Sequence, residues 1–206
     1  MKYIQSPREI ERKSFEIITR ELEVELPDPQ TAPIIKRVIH TTADFEYAKL
    51  IKIHPEAVEA AQKALQEGCR IYTDTNMVLS GINKRILKKY GGEVYCLVGD
   101  PEVAREAKER GVTRSMVAME KAMADPETKL FVIGNAPTAL FILCQGIQEG
   151  KAKPSAIIGV PVGFVGAQES KELLMEQTVP HITIQGRKGG STVAVAIVNA
   201  LLYMLE

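Results

Sequence analysis

His40 is the side chain best placed to handle a proton. An imidazole titrates nearest neutrality among the side chains, which suits general acid or base work. At about 100° per residue, Ile34, Ile35, Val38 and Ile39 define the buried side of a helix, and His40 points away from it, beside Lys36, Arg37 and Asp44. Two readings fit that placement: a solvated surface histidine, or an acid–base group whose site lies outside its own helix's core. Lys36 and Arg37 are cationic, so a polyanionic ligand that neutralised them would favour the protonated ring. His54, before Pro55 at a helix start, and His181, after Pro180 at a strand start, read as structural.

Groups able to hold such a ligand cluster where apolar runs end. Leu130–Ile133 leads into Gly134-Asn135-Ala136-Pro137-Thr138-Ala139-Leu140-Phe141. Ala156–Gly159 leads into Val160-Pro161-Val162-Gly163-Phe164-Val165-Gly166, and Ile182–Ile184 into Gln185-Gly186-Arg187-Lys188-Gly189-Gly190-Ser191. In an open parallel sheet, ligands bind at the carboxyl edge of the strands. Bare backbone and few charges at three such ends read as the floor of one anion-binding cavity. Gly189-Gly190-Ser191 opens a helix, whose N–H groups and positive end favour a carboxylate or phosphate. Arg114, in Thr113-Arg114-Ser115 at another helix start, carries a guanidinium that can fork onto a carboxylate. Thr73-Asp74-Thr75-Asn76-Met77 follows a further strand, and Asp74 there either caps the next helix or accepts from a ligand.

These signals have plain alternatives. Glycine also serves tight turns and close packing. Ser14 falls inside the apolar arc of the first helix, where its hydroxyl can simply bond back to its own turn. G-x-G-x-x-G is absent after the first strand, and G-x-x-x-x-G-K-[ST] is absent altogether, so the dinucleotide and P-loop readings lose their main support.

The elements that would position these groups are legible along the chain. Ser6-Pro7-Arg8-Glu9 combines a serine cap, an early proline and a glutamate placed to reach back; Ile10, Phe15, Ile18 and Leu22 then share one arc. Leu26-Pro27-Asp28-Pro29 breaks the chain, and a second helix is expected from about Pro33 through His40. Leu50–Ile53 reads as a short extended piece, Pro55–Gln66 as a helix stopped by Gly68, and Arg70–Thr73 and Glu93–Val98 as strands. Asp100-Pro101-Glu102 starts a helix that Gly111 ends, and a helix over Ser115–Met123 follows. Three strands, ending at Gly134, near Val160 and near Ile184, then alternate with helices to Gly150, over Gln168–Gln177 and from Ser191. Alternation of this kind implies βαβ units: an α/β fold with an open, mainly parallel sheet, helices on both faces, and the first two helices as an N-terminal helical arm. One domain over residues 1–206 is expected.

Composition narrows the function classes. Lys+Arg and Asp+Glu balance at 26 each, so no global basic field favours a nucleic acid and an anion must be met by local clusters. Apolar runs fall short of the roughly 20 residues of a membrane span. The chain carries charge from Lys2 onward without the apolar core of a signal peptide, and a cytoplasmic location is expected. Cys69, Cys96 and Cys144 form no CxxC pair and are expected as free thiols, mostly buried. His40, His54 and His181 lack metal-ligand spacing, and no metal of the protein's own is expected.

Taken together, the Gly134–Phe141 run, Gly159-Val160-Pro161-Val162-Gly163-Phe164-Val165-Gly166-Ala167-Gln168-Glu169-Ser170-Lys171 and Gly186-Arg187-Lys188-Gly189-Gly190-Ser191 resemble the precorrin-8X (cobalt-precorrin-8) methylmutase family of cobalamin biosynthesis. Val38-Ile39-His40, Arg12-Lys13-Ser14-Phe15 and Thr113-Arg114-Ser115 fall at matching places, so the resemblance spans nearly the whole chain. It implies an isomerase that shifts one methyl group around a corrinoid ring from carbon 11 to carbon 12, without methyl donor or cofactor. His40 would be the proton donor and acceptor. Substrate binding would fall to Ser14, Thr73, Asp74, Met77, Arg114, Asn135, Gly163 and Gly189, and to Arg37 through its proximity to His40. The partner implied is a small-molecule tetrapyrrole bearing acetate and propionate arms. A homodimer with the active site near the interface is implied as well. Two rival readings are a non-catalytic corrinoid carrier, which needs no acid beside its pocket, and a Rossmann-type nucleotide-binding transferase.

Overall fold

Residues 4–26 and 28–206 are described in the computed structural model of the chain. Lys2, and Pro27 in the expected chain break, lie outside them. Helix α1 (Pro7–Glu21) starts as its residues dictate: the Ser6 side chain accepts from the Glu9 N–H at 3.5 Å. Helix α2 (Ala32–Thr42) buries Ile34, Ile35, Val38 and Ile39 to 1% exposure or less. That stripe packs on α11 (Ser191–Tyr203), so α2 belongs to the main helical layer and the N-terminal arm is α1 alone. A run of four large apolar residues on one helix face needs a partner, and α11, buried at Val193, Ala194, Ala196, Ile197 and Val198, supplies it. Within the arm, Ile18 is buried and Phe15 half-buried, while Ile10 remains exposed.

Among the described residues one six-stranded sheet forms, in the order β1-β6-β5-β4-β2-β3. Its strands are β1 (Ile51–Ile53), β2 (Arg70–Thr73), β3 (Glu93–Tyr95), β4 (Thr128–Ile133), β5 (Ala156–Gly159) and β6 (His181–Ile184). All neighbours pair in parallel except β1, which runs antiparallel to β6. Strand β3 stops at Tyr95 rather than Val98. It is an edge strand whose register ends at Tyr72↔Tyr95, near the end of β2, so the apolar residues beyond have no ladder to join.

The pleat sends alternate side chains to opposite layers. Ile71, Leu130, Val132, Ile158, Ile182 and Ile184 meet α2, α4 (Ala57–Gln66), α5 (Asn76–Gly81), α6 (Lys84–Lys89) and α11. Tyr72, Phe131, Ile133 and Ile157 meet α7 (Pro101–Arg110), α8 (Arg114–Met123), α9 (Pro137–Gln148) and α10 (Ala167–Met175). The remaining helix, α3 (Tyr47–Leu50), is a single turn leading into β1. Cys69 and Cys144 are buried, Cys96 is half-buried, and all three are free thiols. Among the described residues no helix is long and apolar enough to cross a membrane.

The strand order fixes where a ligand can sit. From β2 the chain moves outward to β3, returns to β4 on the other side of β2, then proceeds outward through β5 to β6. The connections therefore diverge between β2 and β4. A crevice opens outside the carboxyl ends of strands at such a switch point.

Candidate functional site at the carboxyl edge of the sheet

Asp74 follows β2 at that switch point, and it neither caps α5 nor faces solvent. Thr75 is the cap, accepting from the Val78 N–H at 3.2 Å. The Asp74 carboxylate, 1% exposed, reaches across to the loop after β4. Its Oδ1 accepts from Gly134 N–H at 2.9 Å, and its Oδ2 from Asn135 N–H at 2.8 Å and Ala136 N–H at 2.7 Å. Burial pushes its pKa up, and the three N–H groups pull against that. In this structure Asp74 anchors the Asn135 loop through these three bonds. Thr73 beside it is fully buried, its hydroxyl shared between Tyr95 O at 3.1 Å and Thr75 O at 3.3 Å. Asn135 itself keeps an exposed side chain above a fixed backbone.

The tips of β5 and β6 are fastened together. Gly163 N–H donates to Arg187 O at 3.2 Å, and Gly190 N–H to Val160 O at 2.8 Å. Gly189 is obligatory: at φ +149°, a Cβ there would stand 2.2 Å from Val160 O. The Gly190 N–H expected to be free for an anion is thus already bonded, and the Gly189 backbone lies against the Tyr47 hydroxyl. The open donors are one step on, in the first turn of α11, because its N-cap, Gly190, offers no side chain to them. Outside these fastened tips Phe164 and Val165 stand 83% and 89% exposed, with the Arg187 guanidinium 5.5 Å above the Phe164 ring.

His40 occupies the last turn of α2, exposed, with its ring 5.2 Å from that of Phe15 on α1. It opens on a groove of ≈ 300 Å³ between α2, α5 and α11, shared with Arg37, Met77, Thr192, Val195 and Asn199. Arg37 is not a free cation beside it. Its guanidinium meets Glu11 at 2.6 Å and lies between the rings of Phe15 (4.8 Å) and Tyr203 (5.0 Å). Of the two cations expected beside His40, Lys36 and Arg37, the second is already paired within the chain. Arg37 instead braces α1 onto α2 and α11, and so fixes the ring that His40 stacks on.

The groove and the switch point are neighbours. The Thr75 hydroxyl lies 3.1 Å from the Ser191 hydroxyl, and the Gly134 backbone packs so tightly on Ser191 that a Cβ would fall 2.7 Å from its Cα. His40, Arg37, Met77, Asn135 and the start of α11 therefore share one region. Gly163 and Gly189 border it. Ser14 bonds back to Ile10 O at 2.9 Å, as its plain reading predicts. Arg114 is the outlier: exposed in the first turn of α8, it sits in the layer opposite His40, tied to the edge by Thr113 and Thr138, whose hydroxyls lie 3.2 Å apart. Among the described residues no three His, Cys, Asp or Glu side chains come together as a metal-ligand set. Thr192, Val195 and Asn199 line the groove without having been expected there. Their spacing of three and then four residues marks one helix face, but only the fold shows which neighbour that face meets.

Comparison with known proteins adds a separate finding. The family profile of precorrin-8X methylmutase matches residues 9–204. Cobalt-precorrin-8 methylmutase of Salmonella typhimurium is 52% identical over 212 residues, covering 100% of this chain and 99% of that protein. Precorrin-8X methylmutase of a Sinorhizobium species is 37% identical, covering 97% and 95%. The solved structure of precorrin-8x methyl mutase from Thermus thermophilus superposes with a TM-score of 0.87 at 42% identity, covering 96% of this chain and 95% of that one.

Proposed function

The chain belongs to the precorrin-8X methylmutase family, and from that premise we propose that it moves one methyl group of precorrin-8X or cobalt-precorrin-8 from carbon 11 to carbon 12. The product, hydrogenobyrinic or cobyrinic acid, is an isomer of the substrate, so the atom balance closes without a donor. His40 lends a proton to the conjugated ring, the methyl migrates with its bonding electrons toward the electron-poor neighbour, and the proton returns to the imidazole. Phe15 holds the ring of His40, and Met77, Val195 and Ala196 give its groove an apolar wall. The observation that carries this reading is that His40, alone among the three histidines, opens on the carboxyl-edge groove; His54 and His181 face each other elsewhere, 5.4 Å apart.

A groove of ≈ 300 Å³ takes only part of a large macrocycle. The ring lies across the edge, its acidic arms meeting the Asn135 amide, the open N–H groups of α11 and Arg114. Gly163 and Gly189 shape the floor, and Ser14 approaches from α1. A second copy completes the enclosure and covers the exposed Met77, Val162, Phe164 and Val165. The whole chain acts as one domain, in the cytoplasm, on a free small molecule.

Mixing the protein with precorrin-8X and recording the visible spectrum tests the reading. The wild type converts the pigment to a corrin chromophore. His40→Ala retains the pigment on gel filtration and turns it over about 10²–10⁴-fold more slowly. Normal turnover in that variant removes His40 from the chemistry. Arg114→Ala weakens binding, and the loss shrinks at high salt because a carboxylate contact is screened.

A further inference from the structure

Lys171 lies in α10 with no exposed surface at all, although it is a lysine. Such burial is costly for an ammonium and is normally met by a carboxylate. None faces it here. Helix α9 carries no charged residue, and β6 only His181, at the opposite end of the strand. Glu169 and Glu172 are on exposed positions of α10 itself. The Lys171 Nζ instead donates to the main-chain carbonyl of Lys188 at 2.7 Å. Lys188 is the centre of the loop that joins β6 to α11, and its own ammonium turns the other way, to Asp44 and to Glu46 at 2.6 Å. Asp44 follows directly on the turn that ends α2, the helix of His40. One residue of the Gly186–Gly190 loop is thus held by its carbonyl from α10 and by its side chain from the end of the catalytic helix.

We propose that Lys171 is a positioning residue for substrate capture: it locks the Gly186–Gly190 loop in register with the His40 helix and keeps an uncompensated positive charge beneath the loop that leads into the start of α11, where an acidic arm of the ring is received. The inference rests on the corrinoid reading above. A lone ammonium under a glycine-rich loop has an electrostatic use only when an anion arrives on the other side. Burial pulls its pKa down to about 8, so the charge is present at neutral pH and is lost in mildly alkaline solution.

The test compares wild type and Lys171→Met, which keeps length and apolar packing. For each, KM, kcat and the corrinoid Kd are measured between pH 7 and 9.5. We expect Lys171→Met to raise Kd and KM about tenfold at pH 7, the scale of one charge-assisted contact, with kcat at saturation changed less than twofold. Wild-type Kd should rise above pH 8, because the anion binds the protonated form, and that limb should be missing in the variant. A purely structural role lowers the active fraction and leaves KM and the pH limb unmoved, and that result overturns the proposal. Should the variant not fold, the wild-type titration decides alone: a Kd flat from pH 7 to 9.5 overturns it. Wild-type protein that neither binds nor converts the pigment refutes the corrinoid reading itself, which is a separate outcome.

Discussion

Replacing Asp74 with asparagine tests how the switch point is built. The carboxylate serves three N–H donors, at 2.9 Å on Oδ1 and at 2.8 and 2.7 Å on Oδ2. A carboxamide has one oxygen. Placed at Oδ2 it keeps Asn135 and Ala136, but its NH₂ then confronts the Gly134 N–H, a donor facing a donor. The buried orphan costs about 1–3 kcal/mol, and the two surviving bonds lose their charge assistance, roughly another 1–2 kcal/mol together. Removing a desolvated charge offsets part of this, leaving a net loss of about 2–3 kcal/mol. With a urea slope of about 2 kcal/mol per molar, the midpoint should fall by roughly 1–1.5 M. Amide exchange should accelerate at Gly134, which loses its acceptor, more than at Ala136. The Asn135 amide loses its fixed base, so pigment binding weakens in parallel. A stability change under about 0.5 kcal/mol, with the Gly134 amide still protected, would refute the reasoning that Asp74 ties β2 to β4.

Three further outcomes are expected. Gly189→Ala should lose about 3 kcal/mol or more, because its Cβ meets Val160 O at 2.2 Å at φ +149°, whereas Gly186→Ala, at φ +77° with open space, should lose only about 1–2 kcal/mol; equal losses in chemical denaturation would show that the contact is not the cause. Burial pushes the Cys69 and Cys144 thiols up to about 12, so a thiol reagent at pH 8 should label half-buried Cys96 first and the other two only on unfolding, as peptide mapping would show. Burial, aided by His54, pulls the pKa of His181 below its ordinary 6.5 against the Val179 carbonyl. The unfolded chain therefore takes up the proton first as the solution is acidified. Its contribution to stability is full above pH 6.5 and lost as pH falls through that value toward the lowered folded one. The thermal midpoint should drop between pH 7.5 and 5.5, and less so in His181→Gln.

Local chemistry settled much of the architecture in advance. Asp100, Pro101 and Gly111 bound α7 because a side-chain cap, a proline in the first turn and a left-handed glycine act within a few residues of chain. The Arg70–Thr73 strand and the stripe Ile34, Ile35, Val38, Ile39 were equally plain, since period and burial go together. The same stripe set the outward direction of His40, while the choice between a solvated histidine and an acid came from the family resemblance. The long glycine runs carried the family resemblance for a related reason: each sits where backbone must approach backbone.

What remained hidden depends on pairings between distant segments. Nothing near Asp74 in the chain says that its acceptors will be claimed by Gly134, Asn135 and Ala136, sixty residues on, so cap and ligand contact looked equally open. Nothing near Arg37 foretells Glu11 and Tyr203, which make it a brace between α1, α2 and α11. Nothing near Lys171 in the chain foretells that the fold seals it beneath the Lys188 carbonyl. Sequence determined most of the longer elements, the caps of α1 and α7 and the outward direction of the imidazole, because those are set by interactions within one or two turns. The order of the strands, the switch point and the ownership of each buried charge were decided by tertiary structure, because a hydrogen-bond acceptor or an ion has no fixed partner until the chain has closed around it.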